Sequence, residues 1–247
     1  MDSLTIAAAS GLRARLESLE MLANNLANAD TAGYKSDREF YSLYVSAEAQ
    51  DPLAPAGSAS TLPVIERHWT DFSQGTMRAT ANPLDLAIAG RGFFSVNAPA
   101  GTLYTRNGSF RFSPAGVLTA AEGYAVRLVG GGSLQTNSTN PLEVSADGTV
   151  SQAGAVLGRL EVMDFRDLSA LQKQGGGYFA ANAGAAPVAV AGGEVRQGRL
   201  EGSNVASAEG AVRLVNVIRQ FEMLQKAIVL GGEMNRKAVE EVARVGS

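Results

Sequence analysis

Residues Leu22–Asp37 read LANNLANADTAGYKSD, and this stretch decides where a helix must stop and another kind of structure begin. Upstream, Leu12, Leu16, Leu19, Ala23 and Leu26 recur at intervals of four, three, four and three, which keeps them on one stripe of an α-helix. Asn24, Asn25 and Asn28 interrupt that apolar rhythm. Asn28, Asp30 and Gly33 then supply the side chains and backbone freedom of a helix end and turn, so one helix is expected over residues 3–29.

The far end of the chain carries the matching pattern. After the cap-like pair Ser203 and Asn204, and with Glu209 in the first turn, a second helix is expected over residues 206–245. Its stripe is Leu214, Val217, Phe221, Leu224, Ile228, Gly231, Asn235, Ala238, Val242 and Val245, the three/four alternation of a coiled-coil seam. At about 1.5 Å per residue such a helix is roughly 60 Å long. The N-terminal helix is its obvious neighbour, which would bring the chain's two ends side by side. Val215, Ile218, Val229 and Val239 widen the apolar face beyond a two-helix seam, and other copies of the molecule are expected to cover them.

Between these helices the pattern changes. From residue 85 to 200 glycine is dense and turn signals recur: Asn107-Gly108, Pro114–Gly116, Glu122-Gly123 and Asp147-Gly148. LYTR and SFRF flank Asn107-Gly108 as the arms of a tight hairpin would. Ala47–Leu62, rich in Ala, Ser and Pro, reads as a linker. The expected fold is therefore α+β. Terminal helices, in residues 1–45 and 200–247, pack as a coiled-coil module; residues 46–84 form a linker or extended region; a mainly antiparallel β domain over 85–199 is inserted.

Composition narrows the function. Charged residues are 18% of the 247 and the net charge is −3, so no basic field exists to neutralise phosphates, and nucleic acid is not an expected partner. No segment approaches the ~20 apolar residues that span a bilayer, so no membrane insertion is expected. The N-terminus has Asp2 before its short apolar run and arginines after it, unlike a Sec-type signal peptide. With no cysteine and one histidine, His68, there is little material for a metal centre or a nucleophilic triad; no catalytic, cofactor or metal residues are expected. His68 and Trp69 read as strand or loop packing, with an exposed contact patch as the alternative. The glycines of GRGFF (Gly90–Phe94) and GGGS (Gly130–Ser133) match no phosphate loop and read as turn or bulge residues. Glu222, Lys226, Glu233, Arg236, Lys237 and Glu240 read as a solvated face, some of them available for intersubunit ion pairs.

Three separated segments carry a family resemblance. LANNLANADTAGYKSDREF from Leu22, NPLDLAIAGRGFFSV (Asn82–Val96) with YTRNGSFRFSPAGVLTAAEGYAV (Tyr104–Val126), and LEGSNVASAEGAVRLVNVIRQFEMLQKAI (Leu200–Ile228) resemble the bacterial flagellar axial proteins of the rod and hook group. The resemblance implies a structural subunit of the basal-body rod in the periplasm. Such a subunit is exported unfolded through the flagellar type III apparatus and polymerises with copies of itself and other axial proteins. Within the group, the chain's length, EGSNV and RQFEM resemble proximal rod members, with distal rod and hook-type subunits as alternatives. A secreted β-rich binding module and a hydrolase built on His68 are the readings from other classes.

On the rod reading, the expected subunit-interface residues are Leu12, Leu16, Leu19, Leu26, Leu214, Val217, Phe221, Leu224, Ile228 and Val242 from the stripes. The signature segments add Asn24, Asn25, Asn28, Gly33, Tyr34, Ser203 and Asn204. Apolar stripes specify axial register poorly, whereas a misplaced amide is left unsatisfied at about 1–3 kcal/mol. The asparagines are therefore expected to act as register pins, or, for Asn28 especially, to cap the helix.

Overall fold

The computed structural model describes residues 3–45, 61–137, 140–190 and 193–245, with 3–8, 40–45, 61–67, 238, 239, 242, 243 and 245 described by their backbone alone. The expected linker lies outside the described residues over 47–60. The chain divides into two compact units: residues 1–27, 37–69 and 206–247 form one, and 28–36 with 70–205 form the other.

The first unit contains α1 (Ser3–Ala27), β1 (Asp37–Val45), β2 (Thr61–Thr70) and α2 (Ser207–Val245). β1 and β2 make a two-stranded sheet that the sequence patterns did not signal. α2 has 39 residues, hence a length of about 58 Å. Its expected stripe is its least exposed face: Val217 is buried and Leu214, Phe221, Leu224, Ile228 and Gly231 are half-buried. Asn235 in the same stripe is exposed.

α1 meets α2 on a different face from the leucine stripe. Ala14, Ser18, Met21, Leu22 and Asn25 are buried, whereas Leu16 is 48% exposed and Ala23 is exposed. Leu12, Leu19 and Leu26 lie between these extremes and are half-buried. The reason is side-chain size. A Cβ added to Gly11 would lie 3.6 Å from Leu224 Cδ1, and Ala14 and Ser18 continue the small-residue face on which two backbones can close together. Met21, Leu22 and Val217 form the apolar cluster, with Leu19 and Leu214 against it. A polar tie adds to it: the Glu39 side chain, 2% exposed, accepts from Ser18 Oγ and from Arg213 Nη2 at 3.1 Å, linking β1 to both helices.

The second unit is antiparallel β. In chain order its strands are β3 (Met77–Ala79), β4 (Leu86–Ala89), β5 (Phe93–Ala98), β6 (Gly101–Thr105), β7 (Arg111–Phe112), β8 (Leu118–Thr119), β9 (Ala125–Val126), β10 (Leu142–Val144) and β11 (Thr149–Gln152). They continue as β12 (Ala155–Arg159), β13 (Val162–Phe165), β14 (Leu171–Gly175), β15 (Tyr178–Ala181), β16 (Pro187–Ala189), β17 (Glu194–Gln197) and β18 (Arg199–Glu201). The main sheet runs β14-β15-β6-β5-β9-β8-β7, with β13 pairing both β5 and β16; β10-β11-β12, β17-β4 and β18-β3 are separate small sheets. The last two return the end of the unit to its beginning.

β5 divides the interior. Strand alternation sends Phe94 and Val96 into an aliphatic core with Leu86, Ile88, Leu118, Val150 and Leu160, and Phe93 into an aromatic cluster with Tyr104, Phe165 and Phe179. Those rings meet edge-on, with Phe93 and Phe165 centroids 6.1 Å apart and Tyr104 and Phe165 centroids 4.8 Å apart.

Three expected turns join antiparallel neighbours: Pro114–Gly116 joins β7 to β8, Glu122-Gly123 joins β8 to β9, and Asp147-Gly148 joins β10 to β11. Asn107-Gly108 does not make the expected hairpin. β6 pairs with β5 and β15, β7 pairs with β8, and neither Asn107 nor Gly108 has the positive φ of a type I′ turn. Gly108 instead marks a close crossing, where its carbonyl accepts from Leu86 N–H at 3.0 Å and an added Cβ would sit 1.7 Å from Leu86 O. Gly108→Ala should therefore lower the unfolding free energy in urea by at least about 1–3 kcal/mol. Gly132→Ala, at a position with open space and no positive φ, should change it by less than about 0.5 kcal/mol.

Candidate functional site

The signature turn after α1 is bound into the β unit around one carboxylate. Glu201, at the end of β18, is fully buried. Its Oε1 accepts from Lys35 Nζ at 2.6 Å and from Gly75 N–H at 3.0 Å; its Oε2 accepts from Arg106 Nη1 at 3.0 Å. Lys35 is itself fully buried and also donates to Ser73 O at 2.7 Å. Arg106 adds a bond from Nη2 to Gly90 O at 2.7 Å, and its guanidinium carbon stands 5.2 Å from the Phe93 ring centre. Burial pushes the Lys35 ammonium below its ordinary pKa, and attraction to Glu201 acts against that shift. A carboxylate out of water needs such neighbours, because a buried charge without partners is strongly destabilising.

The rest of the turn follows the same logic. Gly33 has φ +67°, donates its N–H to Glu201 O at 2.8 Å, and would place a Cβ 2.3 Å from Arg106 C and Asn107 N. Only glycine fits there. Tyr34 is buried with Lys173 Nζ 4.4 Å from its ring centre, and that Nζ donates to Lys35 O at 2.8 Å. Asn204 does not cap α2 as expected. Its Oδ1 accepts from Ser36 N–H at 2.8 Å and its Nδ2 donates to Asp71 O at 2.7 Å, so one amide gathers three of the four places where the chain enters or leaves this unit. Ser203, half-buried, turns its Oγ to Val205 N–H at 3.2 Å.

In the helical unit, Asn25 acts as a short piece of strand. Its Nδ2 donates to Asp37 O at 2.8 Å and its Oδ1 accepts from Asp37 N–H at 2.9 Å, which ties the end of α1 to the start of β1. Asn28 shapes the helix exit: its backbone O accepts from Thr31 N–H and its Oδ1 from Thr31 Oγ, both at 3.2 Å. Asn24 is exposed. The side chain of Val242 is outside the described residues.

α2 also carries a second apolar surface. Val212, Val215, Ile218, Met223, Val229, Leu230 and Met234 are 40% to 71% exposed. His68 and Trp69 lie in β2 but are exposed rather than packed, Trp69 at 48% with the Arg38 guanidinium carbon 5.7 Å from its ring centre. The glycines of GRGFF and GGGS fall at turns, with positive φ at Gly90, Gly92, Gly130 and Gly131. Among the described residues no group of His, Cys, Asp or Glu could hold a metal, and no helix is long and apolar enough to cross a membrane.

Lys35, Arg106 and Glu201 were not singled out by sequence. Each is an ordinary charged residue locally, and Lys35 and Glu201 meet across 166 positions. The available signal is that TAGYK, YTRNG and LEGSN, the three segments of family resemblance, contribute one charge each.

The described residues thus hold a buried polar cluster around Glu201 and leave an apolar face of α2 exposed. Three family models match: a flagellar hook protein FlgE/F/G D1 domain at residues 87–152, a flagella basal body rod protein model at 7–35, and a flagellar basal body rod FlgEFG protein C-terminal model at 196–241. The flagellar basal-body rod protein FlgF of Caulobacter vibrioides is 34% identical, with 92% of each chain covered. The flagellar basal-body rod protein FlgG of Agrobacterium fabrum is 33% identical, with 95% of this chain and 97% of that one covered. The FlgF of Mesorhizobium japonicum is 30% identical, with 90% and 89% covered. The chain belongs to the flagellar basal-body rod protein family, structural proteins of the flagellar basal body, and membership implies assembly with other axial proteins.

Asn25→Ala removes both bonds to Asp37 and leaves a backbone donor and acceptor without those partners. Thermal or denaturant unfolding of the purified variant should show a loss of about 1–3 kcal/mol.

Proposed function

We propose that this protein is a rod subunit, exported unfolded by the flagellar type III apparatus, that polymerises helically with copies of itself and neighbouring axial proteins. The observation that carries this reading is the second apolar surface of α2. Burying a large aliphatic side chain contributes about 1.5–3 kcal/mol, so seven such residues left in water are a large unused driving force. An open heterologous contact uses that surface without closing a ring, because each copy presents one face to the copy before it and another to the copy after it. Terminal helices arranged as a coiled-coil module then form the inner wall of a tube. Leu214, Val217, Phe221, Leu224 and Ile228 hold α1 and α2 of one subunit together, while Leu16 and the exposed face of α2 meet adjacent subunits. Asn24, exposed on α1, is assigned to register pinning between subunits, whereas Asn25, Asn28 and Asn204 make hydrogen bonds within their own chain.

The proximal part of the rod is the favoured position. Relatives named FlgF and FlgG lie at 34% and 33% identity, so identity does not divide them, and the placement rests on chain length and on the EGSNV and RQFEM segments.

Met223→Asp or Val229→Asp, on the exposed face of α2, should leave the stability of the isolated chain within about 0.5 kcal/mol. In cells the variant should be secreted yet fail to build a rod, giving no motility. Motile cells with complete rods would contradict the assembly role of this face. Basal bodies isolated from cells lacking the distal rod should still retain this protein if it is proximal; its loss would place it distally.

A further inference from the structure

Residues 28–36 belong to the β unit by contact, yet they add no side chain to either of its hydrophobic clusters. Tyr34 is buried beneath Lys173 Nζ, 4.4 Å from its ring centre, and the other ties are polar. Gly33 N–H reaches Glu201 O at 2.8 Å, Lys35 Nζ reaches Glu201 Oε1 at 2.6 Å and Ser73 O at 2.7 Å, and Ser36 N–H reaches Asn204 Oδ1 at 2.8 Å. Ser36 O in turn accepts from Asp71 N–H at 2.8 Å, and Lys35 O from Lys173 Nζ at 2.8 Å. The apolar cores are built from residues 84 to 195, with Phe72 and none of the turn. We infer that the turn Gly33–Ser36 is a polar latch, held by the Glu201 carboxylate and the Asn204 amide, that opens and closes on the β unit without unfolding its core.

The physical basis is a separation of forces. Apolar burial sets the stability of the β core, and charge pairing at Glu201 sets the docking of the turn, so the two have different free energies of opening. Opening returns Lys35 to water and leaves Glu201 with Arg106 and Gly75 N–H, so undocking the turn does not strand the carboxylate without partners. A subunit that meets non-identical neighbours gains from a segment just after α1 that can change partners while the β unit stays folded. That benefit rests on the assembly reading above; the latch itself does not.

Amide hydrogen exchange of the purified full-length chain tests it, comparing the native protein with Glu201→Gln and Asn204→Ala. The reporting amide is Gly33, whose acceptor is the backbone of residue 201 and is altered by neither substitution. Its exchange should accelerate on the order of tenfold or more in both variants. The core amides of Ser95 and Leu118, bonded to Glu161 O and Leu134 O, should keep their native rates. Unchanged exchange at Gly33, or acceleration at Ser95 and Leu118 together with Gly33, would overturn the latch. Should Glu201→Gln give no folded chain, Asn204→Ala decides by the same comparison. The measurement reads an isolated chain, so its outcome is independent of whether the protein assembles as proposed.

Discussion

One carboxylate brings the distant parts of this chain together. Glu201 lies in a fully buried position with two cations on it, Lys35 from the turn after α1 and Arg106 from the middle of the β unit. No one of these charges is tolerable there alone, because removing an ion from water costs several kcal/mol that only paired geometry and further hydrogen bonds offset. The chain is therefore committed to a topology in which an early turn, a central strand end and a late strand meet. Gly33 and Asn204 refine that meeting, the first by fitting where no Cβ can, the second by bonding to both Ser36 and Asp71. Such internal ties give the polar residues of the resemblance segments a structural role within the chain.

The helical unit obeys a different constraint. α1 offers α2 a face of small side chains and covers one stripe of it, and nothing else among the described residues shields Met223, Val229 or Leu230. A second buried carboxylate, Glu39, fastens the arrangement through Ser18 and Arg213. The result is a unit with a small buried interior and one exposed apolar face on α2.

Much of this was legible in the residues, and the failures have physical causes. The α2 stripe was readable from Leu214 to Gly231, where a three/four alternation repeats and the less exposed face follows it; Asn235, further along, is exposed. The α1 contact face was not, because apolar periodicity marks where leucines lie, whereas close helix approach selects Gly11, Ala14 and Ser18. Three turn signals joined the strands they flank. Asn107-Gly108 did not, since a glycine required by a neighbouring backbone looks the same in sequence as one required by a positive φ. The strands β1 and β2 carried no clear alternation. Asn25 reads in sequence as an amide inside a helix and Asn204 as a helix cap, whereas their partners, Asp37, Ser36 and Asp71, are set by tertiary structure and have no local signature. The Lys35–Glu201 pair was beyond periodicity altogether, and only the coincidence of charged residues within the three resemblance segments pointed towards it.

A density map of an isolated basal body, resolved well enough to place side chains of this protein, tests the central claim most directly. The account predicts Lys35, Arg106 and Glu201 paired within a single chain, and Met223, Val229 and Leu230 buried against a different one. A map in which Glu201 takes its cations from a neighbouring subunit, or in which that face of α2 remains in solvent inside a completed rod, would contradict it.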